Sequence, residues 1–414
     1  MMKSSAFHGL KQLLTQSLFI KVWIIMFLVE FVKGSLLVTI LPVYMGHVLK
    51  FSAFAIGISF ALQYIGDNAF RSPAGWLIDR MGFRKTMTLG MSLTLVAVAV
   101  MAFSKNASLM VTACGLLGVG TAPLWPCVMR GLTPDSGRNE QFGLAMGVIQ
   151  ISSLGGTGAG PIAANFLVGR SYTAVFWILL ICVGIVIMLS LKLPSHTGKS
   201  TKKDGHEHEH LTKNIQHLFR QIRDHLHISW LLFPALFLQT FAIGLITPVI
   251  TLYVRTELNL SAQMYSIMMI VGGGLTVLGL IPVGKWVDRV GTRWFLHAGF
   301  LLAALSLGGL AAVRSLPLIW TIVICLSISY AFILPTWDTM LSHLLPEKER
   351  GTVWGLFLTV QGSGMVLGPI LSGKLWDRLG PSAPFWASSA VMGTLFLIHI
   401  MLTNTHKGRE MAEG

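Results

Sequence analysis

The chain has 414 residues, 53% of them hydrophobic and only 12% charged, and its mean hydropathy is +0.68. This composition excludes an ordinary soluble domain and identifies an integral membrane protein. A net charge of +14 is compatible with nucleic-acid binding, but its distribution along the chain follows membrane topology instead, so no nucleic-acid partner is expected.

Apolar stretches of the roughly 20 residues needed to cross a bilayer run at about 18–45, 52–78, 86–104, 109–132, 140–168, 172–193, 229–254, 262–287, 295–313, 316–344, 350–376 and 382–403. They predict an all-α membrane protein with twelve transmembrane helices, six per half. Runs of this length do not suit a β-barrel, whose strands take about 10 alternating residues. The first stretch is too long for a signal peptide and lacks a small-residue cleavage site, so it reads as a retained helix. With both termini cytoplasmic, the inner loops and tails collect 22 of the 31 lysines and arginines, as the positive-inside rule requires. Cys114, Cys127, Cys182 and Cys325 all fall within predicted spans. They offer neither a disulfide framework nor zinc-ligand spacing.

The first two helices carry most of the intramembrane charge. Glu30 and Lys33 lie three apart on helix one, and Asp67 and Arg71 four apart on helix two, spacings that set each pair on one helical face. Ionisable groups in hydrocarbon are costly and mark function by default. Either pair also works as a self-neutralising structural bridge. The functional reading makes Asp67 the first proton site and Glu30 the second, with Lys33 and Arg71 binding anionic or sugar groups or tuning the carboxylates.

Helix two ends in Gly75-Trp-Leu-Ile-Asp79-Arg80-Met-Gly82-Phe-Arg84-Lys85, and the pattern returns after helix eight as Gly284-Lys-Trp-Val-Asp288-Arg289-Val-Gly291-Thr-Arg293-Trp294, displaced by 209 positions. Helix five carries Gly147, Gly156 and Gly160-Pro161, and helix eleven repeats them as Gly355, Gly364 and Gly368-Pro369, displaced by 208. The chain is a duplication. Glycines four apart permit close helix approach, and a proline permits bending. Trp125 in helix four and Trp337 in helix ten follow prolines at matching places, each offering an apolar face and one N–H donor to a ligand or to packing.

Between the halves, 1–193 and 229–414, lies a basic, polar linker at 194–228. Leu211, Ile215, Leu218, Ile222 and Leu226 in it have the spacing of an amphipathic helix at the inner membrane surface. Its run His206-Glu-His208-Glu-His210 is a candidate transition-metal ligand set or a solvated polar tract. The second half is poor in intramembrane charge. A shift of 210 sets Gln239 and Thr240 opposite Val29 and Glu30, and Asp338 beside Trp337 is the main exception, with His343 nearer the inner end. A cavity polar on one side and apolar on the other suits an amphiphile.

The paired loops, the glycine-proline helices and the six-plus-six layout resemble the major facilitator superfamily over essentially the whole chain. The resemblance implies alternating access between two halves, with Asp79, Arg80, Arg84, Asp288, Arg289 and Arg293 as gating residues of a cytoplasmic latch in which the aspartate faces a helix N-terminus. A finer resemblance rests on Leu28-Val-Glu30-Phe-Val-Lys33-Gly34, Asp67, Pro123-Leu-Trp125, Leu232-Phe-Pro234 through Gln239, Leu334-Pro-Thr-Trp337-Asp338, and Trp354 through Gln361-Gly-Ser-Gly. These stretches are similar to the proton-coupled glycolipid flippases of the lipoteichoic-acid pathway of Gram-positive bacteria. That resemblance implies a diglucosyl-diacylglycerol type of substrate in a bacterial cell membrane. Glu30, Lys33, Asp67 and Trp125 would line the headgroup side, and Arg71, Trp337, Asp338, Gln239 and Gln361 join them as substrate contacts. Lys33 stands where that family shows arginine, and Asp338 where it shows asparagine.

The alternative is a proton-coupled multidrug exporter, although helix four lacks the arginine such exporters usually carry there. A sensor or scaffold has no use for the intramembrane charges. No Walker A loop, nucleophile elbow or His-Glu-x-x-His appears, so neither an enzyme nor a cofactor or resident metal is expected. The expected partners are membrane lipids, the amphiphilic substrate and protons, and the expected state is a monomer.

Overall fold

The computed structural model describes residues 16–132, 142–169, 171–194, 231–343 and 350–404, and every regular element among them is helical. The linker expectations, amphipathic helix and histidine run included, lie outside these residues. Among the described residues, twelve helices occupy the predicted spans. They are α1 (Ser17–Val48), α2 (Ala53–Ala69 and Arg71–Met81), α3 (Phe83–Phe103), α4 (Ala107–Thr121 and Leu124–Leu132), α5 (Phe142–Val168), α6 (Tyr172–Leu191), α7 (Leu232–Ile246 and Ile250–Thr256), α8 (Ala262–Val290), α9 (Arg293–Ala312), α10 (Leu316–His343), α11 (Arg350–Leu379) and α12 (Ala383–Asn404).

Ten of the twelve are long and apolar enough to cross a membrane on their own account. The other two, α2 and α5, fall short for identifiable reasons. Helix α2 carries Asp67, Asn68, Arg71, Asp79 and Arg80, and α5 is diluted by glycine, serine and threonine. Both therefore need neighbouring helices to cover their polar groups.

Proline explains the interruptions. Pro73, Pro123 and Pro248 lack the N–H that would bond the carbonyl four residues earlier, and α2, α4 and α7 break between that carbonyl and the proline or beside it. In α1 the turn widens to π-type hydrogen bonding over Ser35–Ile40 and Tyr44–Val48, flanking Pro42.

The chain forms two compact units that do not coincide with the sequence halves. One holds Met1–Gly198 with Ile246–Ile270 and Pro369–Pro384; the other holds Lys199–Leu245, Val271–Gly368 and Phe385–Gly414. In the first unit, Leu36, Ile40, Met45, Phe60, Leu117 and Phe176 belong to one buried cluster. A second cluster gathers Phe19, Ile25, Met26, Phe83, Leu124 and Ile149.

Small residues let these helices meet backbone to backbone. A Cβ on Gly118 of α4 would strike the Gln63 carbonyl of α2 and lie 2.9 Å from the Asp67 amide, and one on Gly66 would lie 2.7 Å from the Gly115 carbonyl. On α5, a Cβ at Gly156 or Gly160 would strike the carbonyl of Phe27 or Phe31 in α1. The second unit repeats this with α7 and α11, where a Cβ on Gly364 would lie 2.6 Å from the Phe237 carbonyl and one on Gly368 2.7 Å from Gly244 Cα. Pro161 and Pro369 sit inside unbroken helices beside these contacts. The Pro161 carbonyl accepts a hydrogen bond from Thr39 of α1 at 3.2 Å.

Gly147 and Gly355 correct the sequence expectation. Both are exposed, and a Cβ on either would meet nothing within 4 Å among the described residues, so they take no part in the helix packing seen there. Gly160→Leu is therefore expected to lower the melting temperature of the purified protein by about 5 °C or more, because overpacking costs about 1–3 kcal/mol. Gly147→Leu and Gly355→Leu should melt within a degree or two of the parent by the same calorimetric or fluorescence measurement.

Candidate functional site

The four charges that the sequence arranges as two separate pairs form one chain. Lys33 Nζ lies 3.6 Å from Glu30 Oε1 on its own helix and 3.5 Å from Asp67 Oδ2 on α2. The same Asp67 oxygen accepts a hydrogen bond from Arg71 Nη2 at 3.1 Å. Thr157 of α5 closes the other end by donating to Glu30 Oε2 at 3.3 Å. The order is Thr157, Glu30, Lys33, Asp67, Arg71, with two negative and two positive groups.

The glycine contacts put these groups within reach. Gly156 brings α5 onto α1 at Glu30, where an added Cβ would stand 3.1 Å from the Glu30 Cβ, and Gly34 lets α1 press against the Thr157 carbonyl. Gly118 holds α2 at the Asp67 amide from the other side. The helix break at Phe70, opened by Pro73, lies between Asp67 and Arg71.

The carboxylates are the most buried members and Arg71 is the most exposed. The side chains of Asp67 and Glu30 are 9% and 10% exposed, Lys33 16% and Arg71 44%. A buried ion pair left with one partner loses about 3–5 kcal/mol, so the cluster is stable only with its charges balanced. Two buried polar atoms nearby on the same helices, Gln63 Oε1 and Ser35 Oγ, have no hydrogen-bond partner among the described residues. Gln63 precedes Asp67 by one helical turn, so acceptor capacity remains beside the charges for a hydroxyl-bearing molecule or water.

An aromatic ladder, which the charge-centred sequence reading passes over, runs along α1 beside the cluster. Trp23 stacks on Phe27 at 5.9 Å and Phe27 on Phe31 at 6.2 Å, and in the second unit Phe237 stacks on Phe241 at 5.2 Å. The signal was present as aromatic residues four apart, duplicated at the 210-residue offset. Thr157 was less legible, since a threonine in a helix normally bonds its own backbone. It does so here with Ser153 at 2.9 Å as well.

The remaining expected contacts disperse. Trp125 is partly buried and packs against the cluster around Phe19 and Leu124. Trp337 departs from the expectation of a ligand contact: it is 3% exposed and set edge-to-face against Phe300 at 5.8 Å, leaving no face for a substrate. Gln239 is buried, whereas the Gln361 carbonyl accepts from the Thr240 hydroxyl at 2.6 Å. Asp338 is exposed and forms no ion pair among the described residues. All three ion pairs found among those residues belong to the Glu30 to Arg71 chain, which agrees with a polar first half and an apolar second.

At the loop motifs, Arg80 lies over the Trp76 ring at 4.1 Å and Arg293 over Trp294 at 5.8 Å. Asp79, Asp288 and Arg289 are exposed. Arg84 borders an open groove of about 750 Å³ with Lys85, Thr88, Leu89, Ser92 and Leu191.

Comparison with known proteins places this architecture. Residues 22–242 and again 232–412 match the Major Facilitator Superfamily. The chain is similar to the proton-coupled antiporter flippase LtaA of Staphylococcus saprophyticus, 24% identical over 370 residues covering 87% of each chain. It is likewise 24% identical to LtaA of Staphylococcus aureus over 366 residues, 86% of this chain and 87% of the other. Among solved structures, the nucleoside transporter NupG superposes with a TM-score of 0.77 at 15% identity, covering 94% of this chain and 100% of that one. A D-xylose-proton symporter superposes with a TM-score of 0.67 at 14% identity, covering 92% and 96%. These two likenesses bear on the fold alone. With both halves matched by one family and the helices, loops and duplication in agreement, the chain belongs to the Major Facilitator Superfamily, a multi-pass membrane transporter and not an enzyme.

Proposed function

We propose that this chain is a proton-coupled secondary transporter, working by alternating access, that flips an amphiphilic glycolipid of the diglucosyl-diacylglycerol type across the cytoplasmic membrane of a bacterium. The observation that carries the reading is the shared oxygen of Asp67, which takes both Lys33 and Arg71. The similarity to the staphylococcal flippases, spread over most of both chains, supports the substrate class.

A proton arriving on Asp67 removes the negative charge that both cations share. Protonation converts a neutral cluster into one with a net positive charge and weakens the hold on Arg71 and, on its Asp67 side, on Lys33. Those donors then suit the hydroxyls of a sugar headgroup, as does the open acceptor of Gln63. Headgroup and ionised aspartate thus compete for the same cations, so proton binding on Asp67 favours headgroup binding and proton loss favours headgroup release. Lys33 serves this role as a compact point charge with three rotatable donors, which does not demand the bidentate geometry of an arginine. The acyl chains, which need no polar partner, are left to the charge-poor second half. Cytoplasmic termini place the Asp79 and Asp288 loops on the inner side, where the family's latch operates.

The test is flipping of a fluorescent diglucosyl-diacylglycerol in proteoliposomes, with and without an imposed proton gradient. Wild-type protein should flip it faster under the gradient, and Asp67→Asn, normally inserted, should lose at least about tenfold of that stimulation. Gradient-stimulated flipping at the parental rate in Asp67→Asn would remove Asp67 from the coupling path. A folded protein that moves no glycolipid but extrudes hydrophobic cations would establish the multidrug reading instead.

A graded pair of variants checks the geometry. Glu30→Gln neutralises a carboxylate that serves one cation, whereas Asp67→Asn neutralises one that serves two, so the loss of coupled flux should be smaller in Glu30→Gln. The reverse order would move the proton site to Glu30.

A further inference from the structure

The loop motif has a third copy. Gly373-Lys-Leu-Trp-Asp377-Arg378-Leu-Gly380 repeats the Gly-x3-Asp-Arg-x-Gly spacing of Gly75–Gly82 and Gly284–Gly291. All three end a helix in the same way. The amides of Gly82, Gly291 and Gly380 donate to the carbonyls of Ile78, Val287 and Trp376 at 2.8, 2.8 and 3.0 Å. The three glycines then turn the chain at φ of 81°, 85° and 95°, a region that side-chain-bearing residues rarely adopt.

What differs is the environment of the aspartate. Asp79 and Asp288 are exposed and make no side-chain hydrogen bond or ion pair among the described residues. Asp377 accepts two hydrogen bonds, at Oδ1 from the Ala53 amide (3.0 Å) and at Oδ2 from the Phe54 amide (2.9 Å). These are the first two amides of α2, donors without an intrahelical partner at the positive end of the helix dipole. Ser52 accepts from the Ala55 amide at 3.2 Å, so cap and carboxylate together satisfy most of that first turn.

The approach is made close by missing side chains. A Cβ on Gly373 would strike the Ala53 carbonyl, and one on Gly57 would strike the carbonyl of Pro369. Tyr253 of α7 joins the same end, with its hydroxyl 3.4 Å from Ser382 Oγ and its ring against the edge of Trp376 at 6.3 Å. Asp377 nevertheless remains exposed, so water can replace either bond and the contact is reversible. The 208-residue offset sets Gly169 opposite Asp377, and an added Cβ there would lie only 3.6 Å from Gln263 Nε2 at the start of α8. No carboxylate stands at the equivalent place, so the arrangement is single.

We propose that Asp377 is an outer-end latch: by capping the start of α2 it holds α11 against α2, and its release frees that end of the transporter to open. This rests on the alternating-access reading above, though not on the identity of the substrate. Helix α2 then carries a latch at each end, Asp377 at its start and its own Asp79 about 40 Å further along. In this structure Asp377 is engaged, whereas Asp79 makes no side-chain hydrogen bond or ion pair among the described residues.

The experiment is double electron-electron resonance on full-length protein in liposomes, with the four native cysteines replaced by serine and spin labels at Lys105→Cys and Ser315→Cys in the outer loops. Loss of a helix cap shifts a two-state balance by roughly 3- to 30-fold. Asp377→Ala should raise the ratio of long to short outer distances by that factor, and Asp377→Asn, which keeps one acceptor oxygen and the shape, by less. Asp79→Ala in the same background should shift the ratio the opposite way. A distribution in Asp377→Ala that superimposes on the parent while Asp79→Ala moves would overturn the latch. One unchanging distance in all variants would overturn alternating access and the latch with it. Because no glycolipid is present, a failure of glycolipid flipping leaves this readout intact.

Discussion

A bare charge at the centre of a bilayer costs about 2.5–3.5 kcal/mol even on lenient insertion scales, and this protein keeps four of them on two adjacent helices. It does so by making Glu30, Lys33, Asp67 and Arg71 a single neutral chain. Neutrality is what permits burial, and it is also what makes the cluster sensitive to a proton. One added proton unbalances the charges at the shared oxygen, where two cations converge. The same arrangement therefore serves stability in one protonation state and ligand competition in the other.

That chain depends on helix spacing more than on the charges themselves. Lys33 and Asp67 belong to different helices, each held against a neighbour by a close contact, α1 against α5 at Gly156 and α2 against α4 at Gly118. Hydrocarbon supplies no hydrophobic drive between helices, so close packing of small residues supplies the precision. The cost is visible in composition. Helices α2 and α5, the ones that approach most closely and carry the polar groups, are the two that are not apolar enough to be identified as membrane spans on their own. The Asp377 contact uses the same device at another place, with Gly373 and Gly57 bringing a carboxylate onto two amides.

The duplication is structural but its two products have diverged in charge. The loop motifs, the helix-five and helix-eleven glycines and the stacked phenylalanines persist in both halves. The intramembrane carboxylates have no counterparts, and Gly169 stands at the position equivalent to Asp377. A symmetric scaffold thus carries an asymmetric site. An amphiphile has the same asymmetry, one end demanding hydrogen bonds and the other none.

The helical spans, the internal duplication and the individual charge pairs were determined by the sequence alone, because hydropathy, repeat spacing and i to i+4 geometry are local properties. Gly147 and Gly355 share a repeat with Gly156 and Gly364 yet meet no neighbour among the described residues, since a repeat records ancestry while contact depends on which face a neighbour covers. Trp337 matched Trp125 by position, but Phe300 on another helix buried it. Only the tertiary structure joined Lys33 to Asp67, brought Thr157 to Glu30 and placed Asp377 on the first amides of α2, 324 residues away from Ala53 in sequence. Each of these is a contact between distant segments, set by how closely two helices approach, and no periodicity within one segment encodes that distance.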